Sequence, residues 1–210
     1  VKILVTAGPS FEPIDEVRRI TNHSTGTLGS GLCDFLCEAG YEVTCLLGSG
    51  ATQRPQSFLP IQSFTTTESL KELLENASSE NHAAVFHIAA LSDYRVDRIE
   101  ASSGEALTGT KLESRSGDIM LHLKPAVKLL PLLRSLFPQA LLVGWKYELS
   151  GDRQDVITKG KRQLSEAQTD HVVLNGKAWG TGFGVLDKQH SLTSLPEPVS
   201  LYQHLTSLLR

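Results

Sequence analysis

The chain opens on an unbroken apolar run, Lys2-Ile3-Leu4-Val5-Thr6-Ala7, that stops at Gly8-Pro9. A run without polar alternation predicts a strand covered on both faces, as in a parallel sheet. Leu28, Leu32, Phe35, Leu36 and Ala39 then recur at helical spacing up to Gly40, and Glu42 to Leu47 returns as a second strand. This order predicts a right-handed βαβ unit with a long first loop, the start of a doubly wound domain.

The alternation continues with a strand at Ile61 to Phe64, a helix from Glu68 to about Asn76 and a strand at Ala83 to Ala89. Residues 94–118 break it, because Gly, Ser, Thr, Glu and Arg dominate and no apolar face persists; a long loop or flap is expected there. Beyond it the pattern predicts a strand near Ile119 to Leu123 and a Leu-rich helix from about Ala126 to Leu136, interrupted by Pro131. A strand at Leu141 to Trp145, a helix over Asp152 to Ala167, a strand at His171 to Asn175, a hairpin and a helix near Pro198 to Leu209 follow. The expected fold is α/β, a three-layer Rossmann-like, doubly wound, mostly parallel sheet in a single domain over 1–210, with the flap at about 94–118.

Composition narrows the partners. With 210 residues, 40% of them hydrophobic, one core can be filled. The net charge of −3 argues against bulk attraction to nucleic acid or anionic membranes. No apolar stretch approaches the roughly 20 residues of a membrane span, and no charged-then-apolar leader opens the sequence, so a cytoplasmic protein is expected. Cys33, Cys37 and Cys45 have neither a disulfide framework nor zinc spacing and read as reduced core thiols.

Chemistry concentrates where strands end, since open α/β sheets bind ligands beyond the carboxyl ends of their strands. Arg18 to Gly31 sets a cation, an amide, hydroxyls and glycines at the entrance to a helix, an arrangement that favours phosphate or carboxylate. Ala89-Ala90-Leu91-Ser92-Asp93, Trp145-Lys146-Tyr147-Glu148 and Asn175 occupy equivalent strand ends and are expected to converge with it. Lys159 and Arg162 share a helix face; spacing alone reads as a solvated cationic face, with polyphosphate binding as the sharper alternative. His23 is a candidate base or a hydrogen-bonding scaffold.

Gly26-x-x-Gly29-x-Gly31 is not a dinucleotide fingerprint, and no GxxxxGK[ST] loop occurs. The tyrosines Tyr41, Tyr94, Tyr147 and Tyr202 are followed four residues later by Cys45, Arg98, Gly151 and Thr206, never by lysine, which disfavours a short-chain NAD(P) reductase.

Thr6-Ala7-Gly8-x-x-x-Glu12-Pro13-Ile14-Asp15-x-Val17-Arg18, with Ile20-Thr21-Asn22-His23-Ser24-Thr25-Gly26 and Gly29, closely resembles the opening of phosphopantothenate–cysteine ligases. Ala89 to Tyr94, Val143 to Glu148, and Val172 to Asn175 followed by Gly182-Phe183-Gly184 resemble later motifs of the same family, so the likeness runs essentially end to end. The resemblance implies a Rossmann-like homodimer acting on 4′-phosphopantothenate, L-cysteine and a nucleoside triphosphate, CTP or alternatively ATP, with Mg²⁺ and with no flavin domain in the chain. It also implies an acyl-nucleotidylate intermediate, from which the cysteine amine displaces the nucleotide.

Carried over by position, the resemblance assigns Asn22, Arg18 and Lys111 to catalysis. It assigns Gly8, Ser24, Thr25, Gly26, Gly29, Ala89, Asp93, Trp145, Lys159 and Arg162 to the nucleotide, with Asp93 meeting Mg²⁺. The flap departs from the family: the strictest alignment puts Gly109 where a lysine is usual, leaving Lys111 as the candidate, and Thr27 stands where many members are basic. That departure motivates the alternative reading, a non-ligating relative that binds a nucleotide or phosphorylated metabolite as a regulator or binding subunit.

Overall fold

The computed structural model describes residues 1–109, 111–113 and 117–209. The elements run β1 (Lys2–Ala7), β2 (Phe11–Pro13), β3 (Arg19–Thr21), α1 (Thr27–Glu38), β4 (Glu42–Gly48), β5 (Ile61–Phe64), α2 (Thr67–Ala77) and β6 (Ala84–His87). They continue with β7 (Tyr94–Ala101), β8 (Ile119–Pro125), a 3-10 turn over Leu130–Leu132, α3 (Leu133–Leu136), β9 (Leu141–Tyr147) and α4 (Arg153–Ala167). β10 (His171–Asn175), β11 (Phe183–Asp187), β12 (Leu192–Leu195) and α5 (Pro198–Ser207) complete the order.

Eight strands form one sheet in the order β12-β11-β10-β9-β6-β1-β4-β5. It is parallel from β5 to β10, and β11 and β12 add an antiparallel edge. The chain moves outward from β1 to β4 and β5, then returns to β6 on β1's other side, so the direction of winding reverses between β1 and β6. A crevice at their carboxyl ends follows from that reversal.

Period-two side-chain alternation in β1 explains the unbroken apolar run. Ile3, Val5 and Ala7 pack with Leu32 and Leu36 of α1 and Leu201 and Leu205 of α5. Leu4 points the other way, toward Leu70 and Leu74 of α2 and Leu133 of α3. On that second face α4 adds Val156 and Leu164 against Val172 and Leu174 of β10. Both faces are therefore dry, and each strand residue is held by one layer or the other.

Four expectations change. Residues 94–118 are not all loop: β7 pairs antiparallel with β8 as a separate two-stranded arm, with a register shift between Val96 and Arg98. Cross-strand pairs of Asp97 with Lys124 and Glu100 with His122 support it, where apolar burial is thin. The helix expected from Ala126 reduces to the 3-10 turn and the four residues of α3. Pro131 has no N–H to give and disfavours helical backbone in the residue before it. Within the polar opening segment, β2 and β3 form a small hairpin, and β6 ends at His87 rather than Ala89.

Candidate active site

The opening loop is built by close backbone approaches. Gly8 and Gly26 have φ of +78° and +83°, in the left-handed region that side chains disfavour. At Gly29 a Cβ would stand 2.4 Å from the Ala7 Cβ, so the glycine is what lets α1 lie against β1. Gly26 caps α1 without a side-chain hydrogen bond to its first turn, and the hydroxyls of Thr25 and Thr27 pair with each other at 2.7 Å. Ser24 is half-buried beyond them, its N–H on the Asn22 carbonyl at 3.0 Å. Amide donors at the start of a 12-residue helix thus face the loop with the positive end of its dipole.

The second strand-end segment is stitched directly to the first. Ala90 donates its N–H to the Gly8 carbonyl at 2.9 Å, and Ser10 donates to the Ala90 carbonyl at 3.1 Å. The buried Ser10 hydroxyl accepts the N–H of Ser92 at 2.9 Å. Glu148 donates its N–H to the Asn175 carbonyl at 3.0 Å, joining the third and fourth segments in the same way. The Asn175 Oδ1 is buried without a partner among the described residues.

A cleft of about 420 Å³ opens between α4 and the 3-10 turn, over the ends of β6 and β9. Ala89, Asp93, Trp145, Lys159 and Arg162 line it. Trp145 offers its carbonyl, which accepts from Gln163 Nε2 at 3.4 Å, while the side chain packs with the core cluster on the opposite face. The cations are matched by carboxylates: Lys159 Nζ lies 2.6 Å and Lys146 Nζ 3.1 Å from Glu148, Arg162 lies 3.8 Å from Glu166, and Lys128 pairs with Asp93. Burial pushes the Glu148 carboxyl up, but the two ammonium groups outweigh it and leave it below the usual carboxylate range.

Arg18 is held away from free motion. Its Nε and Nη2 donate to Asp15 Oδ2 at 3.0 and 2.6 Å, and Nη2 also donates to the Leu112 carbonyl at 2.6 Å. The Leu112 N–H returns to the same Asp15 oxygen at 3.1 Å. That amide, with the Arg18 guanidinium, keeps the Asp15 carboxyl well below its ordinary range despite desolvation. The flap is thereby docked on the opening loop through position 112, and the exposed Lys111 is its immediate neighbour. Nη1 of Arg18 has no partner among the described residues. Asn22 follows β3, half-buried, its side chain likewise without a hydrogen bond among the described residues.

Two cleft groups are not signalled by the sequence pattern: Lys128, in a stretch expected to be helical, and His87, which reads as the end of an apolar strand. Cys33 and Cys45 are buried in the core and Cys37 is half-buried at its edge; the Cys33 thiol is pushed up by Cys45 and by burial. No group of three or more His, Cys, Asp or Glu is placed to hold a metal among the described residues.

Known proteins share this architecture. A solved DNA/pantothenate metabolism flavoprotein from Streptococcus pneumoniae superposes with a TM-score of 0.87 at 25% identity, over 99% of this chain and 97% of that one. A Cab2 H337A variant in complex with phosphopantothenate-cysteine shares the fold, with a TM-score of 0.76 at 18% identity over 99% of this chain and 87% of its own. The coenzyme A biosynthesis bifunctional protein CoaBC of Thermococcus kodakarensis is 31% identical over 190 residues, 86% of this chain. The chain spans 42% of that relative's length. The profile of the DNA/pantothenate metabolism flavoprotein C-terminal domain matches residues 1–201, and the chain belongs to that family.

Proposed function

We propose that the chain is a phosphopantothenate–cysteine ligase, a single ligase-type domain over 1–210 with its flap at about 94–118, that joins 4′-phosphopantothenate to L-cysteine at the expense of a nucleoside triphosphate. The observation that carries this reading is the docking of the flap on Arg18 and Asp15, which sets the Leu112 backbone against the opening loop. The family membership supports it, as does the CoaBC relative's role in coenzyme A biosynthesis.

In this reaction the pantothenate carboxylate attacks the α-phosphorus, pyrophosphate leaves, and the cysteine amine then attacks the acyl carbon and expels the nucleoside monophosphate. No enzyme nucleophile is needed; orientation and charge stabilisation carry the rate. Asn22 orients the carboxylate through its side-chain amide. Arg18 presents its Nη1 edge to the acyl intermediate, and Lys111 reaches the phosphates from the docked flap. The α1 amino terminus with Gly8, Ser24, Thr25, Gly26 and Gly29, and the cleft with Ala89, Trp145, Lys159 and Arg162, receive the nucleotide.

Mg²⁺ suits this site as a companion of the triphosphate, because it keeps waters and phosphate oxygens and needs only one or two protein carboxylates. Asp93, with a side chain 71% exposed at the cleft, is the carboxylate that would meet it; the bound ion would offset phosphate charge. CTP is the proposed cosubstrate, with ATP as the alternative. A homodimer is proposed from the family likeness and from Tyr94, Met120 and Leu123, which leave the arm 55%, 47% and 47% exposed. No described helix is long and apolar enough to cross a membrane, and a cytoplasmic location is proposed.

The test is pyrophosphate release from CTP and from ATP, with and without phosphopantothenate, and then with cysteine. Release that requires phosphopantothenate, followed by cysteine-dependent nucleoside monophosphate, is expected. Nucleotide binding with no pyrophosphate under any combination would favour the non-ligating relative instead.

A further inference from the structure

His87 closes β6 at the floor of the cleft and is only 6% exposed. Its parallel partner in β1 is Thr6, itself fully buried, and Thr6 Oγ1 lies 2.9 Å from His87 Nδ1. The same hydroxyl accepts the N–H of Ala89 at 3.2 Å. A hydroxyl has one proton to donate, and Nδ1 is the only acceptor it meets among the described residues. Satisfying all three groups therefore puts the Thr6 proton on Nδ1 and the ring proton on Nε2. Burial pushes the imidazole down to about 4, so the ring is neutral and keeps that tautomer at physiological pH.

Nε2 has no partner among the described residues, yet it is not one of the sealed polar atoms, so it is the edge that meets the cleft. The cleft combines apolar lining, Leu91, Leu129, Leu130 and Pro131, with the polar Ser92 and Gln163. The cations stand toward solvent, Lys128 and Arg162 with side chains 64% and 67% exposed. A cleft with an apolar side, a fixed imidazole donor at its floor and cations at its rim accepts a planar heteroaromatic ring inward and phosphates outward.

We propose that His87 reads the nucleotide base, its Nε2–H donating to a ring nitrogen or carbonyl oxygen on the base edge. The proposal rests on the nucleotide-dependent reading above and adds the residue that recognises the base. Thr6 is its positioning residue, since it fixes which ring nitrogen carries the proton.

The experiment measures equilibrium binding of CTP, ATP, UTP, GTP and tripolyphosphate to the wild-type chain, His87→Asn and His87→Gln. An Asn amide stays near Nδ1 and Thr6 and leaves the Nε2 position without a donor; a Gln amide nitrogen reaches close to Nε2. His87→Asn is expected to weaken the preferred nucleotide about tenfold while tripolyphosphate binding is unchanged, and His87→Gln to recover to within about threefold of wild type. Equal losses for nucleotide and tripolyphosphate, or no loss in His87→Asn, overturn the proposal.

A second measurement needs no variant. In wild-type protein, ¹⁵N-resolved NMR of the ring is expected to show the Nε2–H tautomer, with a signal that shifts on saturation by nucleotide and not by tripolyphosphate. An Nδ1–H tautomer, or a signal indifferent to nucleotide, overturns it. A wild-type chain that releases pyrophosphate while His87→Asn binds nucleotide equally well refutes the base-reading role alone; a wild-type chain that binds no nucleotide refutes the ligase reading as well.

Discussion

Asp170 and Arg134 are joined by a 2.7 Å ion pair in which each side chain also satisfies backbone. Asp170 accepts the Leu142 N–H at 2.7 Å, and Arg134 donates to the carbonyls of Gln168, Pro138 and Ala140. Burial pushes the Asp170 carboxyl up, but the Leu142 amide, Lys188 and Arg134 together hold it below its usual value. A carboxyl depressed in the fold stabilises it above the unfolded value and loses that contribution as pH falls. Arg134→Met is expected to cost about 2 kcal/mol at neutral pH, through the carbonyls and carboxylate it leaves unpaired. The melting temperature then falls by roughly 4–8 °C. The gap from wild type narrows below about pH 4, and melting curves between neutral and acid pH check both statements.

Asp15→Asn removes the charge that holds Arg18 and the oxygen that receives Leu112. We expect the flap to become more open to protease and the KM for phosphopantothenate to rise about tenfold, with the melting temperature little changed. In the wild type the same flap protection is present above the ordinary aspartate range and is lost at more acid pH, because Asp15 is depressed in the fold. Limited proteolysis at a series of pH values reads this directly.

Lys111→Ala is expected to lower phosphopantothenate-dependent pyrophosphate release at least about tenfold while leaving nucleotide binding within about threefold. Unchanged turnover would remove Lys111 from the proposed site. Gly109→Lys, which restores the cation usual in the family, is expected to raise turnover in the Lys111→Ala background.

Gly29→Ala puts a methyl 2.4 Å from the Ala7 Cβ, against a strand that is itself immobile between two layers. The helix has to lift, at about 1–3 kcal/mol. Chemical denaturation measures the loss, and the unfolding slope is expected to stay that of the wild type.

The parts of the fold buried on both faces are legible from sequence: β1, β6 and β10 follow apolar runs, and α4 falls within the Asp152 to Ala167 stretch that the pattern predicts, with Asp152 as its N-cap. Of the arm only β8 is legible, as the strand expected near Ile119 to Leu123; β7 is not, because it buries little, and the pairing of the two depends on charge partners such as Asp97 and Lys124 from distant segments. The same limit applies to chemistry. Lys159 and Arg162 are visible as a helical pair, but Glu148 as the counter-charge of Lys159 emerges only when β9 meets α4. His87 looks like one more strand residue until the strand order sets it beside Thr6.

Among the described residues, the flap hydrogen-bonds to Asp15 and Arg18 through the amide and carbonyl of Leu112. Such a latch reads main chain, which every residue except proline supplies in full. With the buried Leu112 side chain kept, drift elsewhere in the flap, including the glycine at position 109, leaves these two hydrogen bonds available, and evolution can retune which cation the flap delivers without relearning how the flap docks.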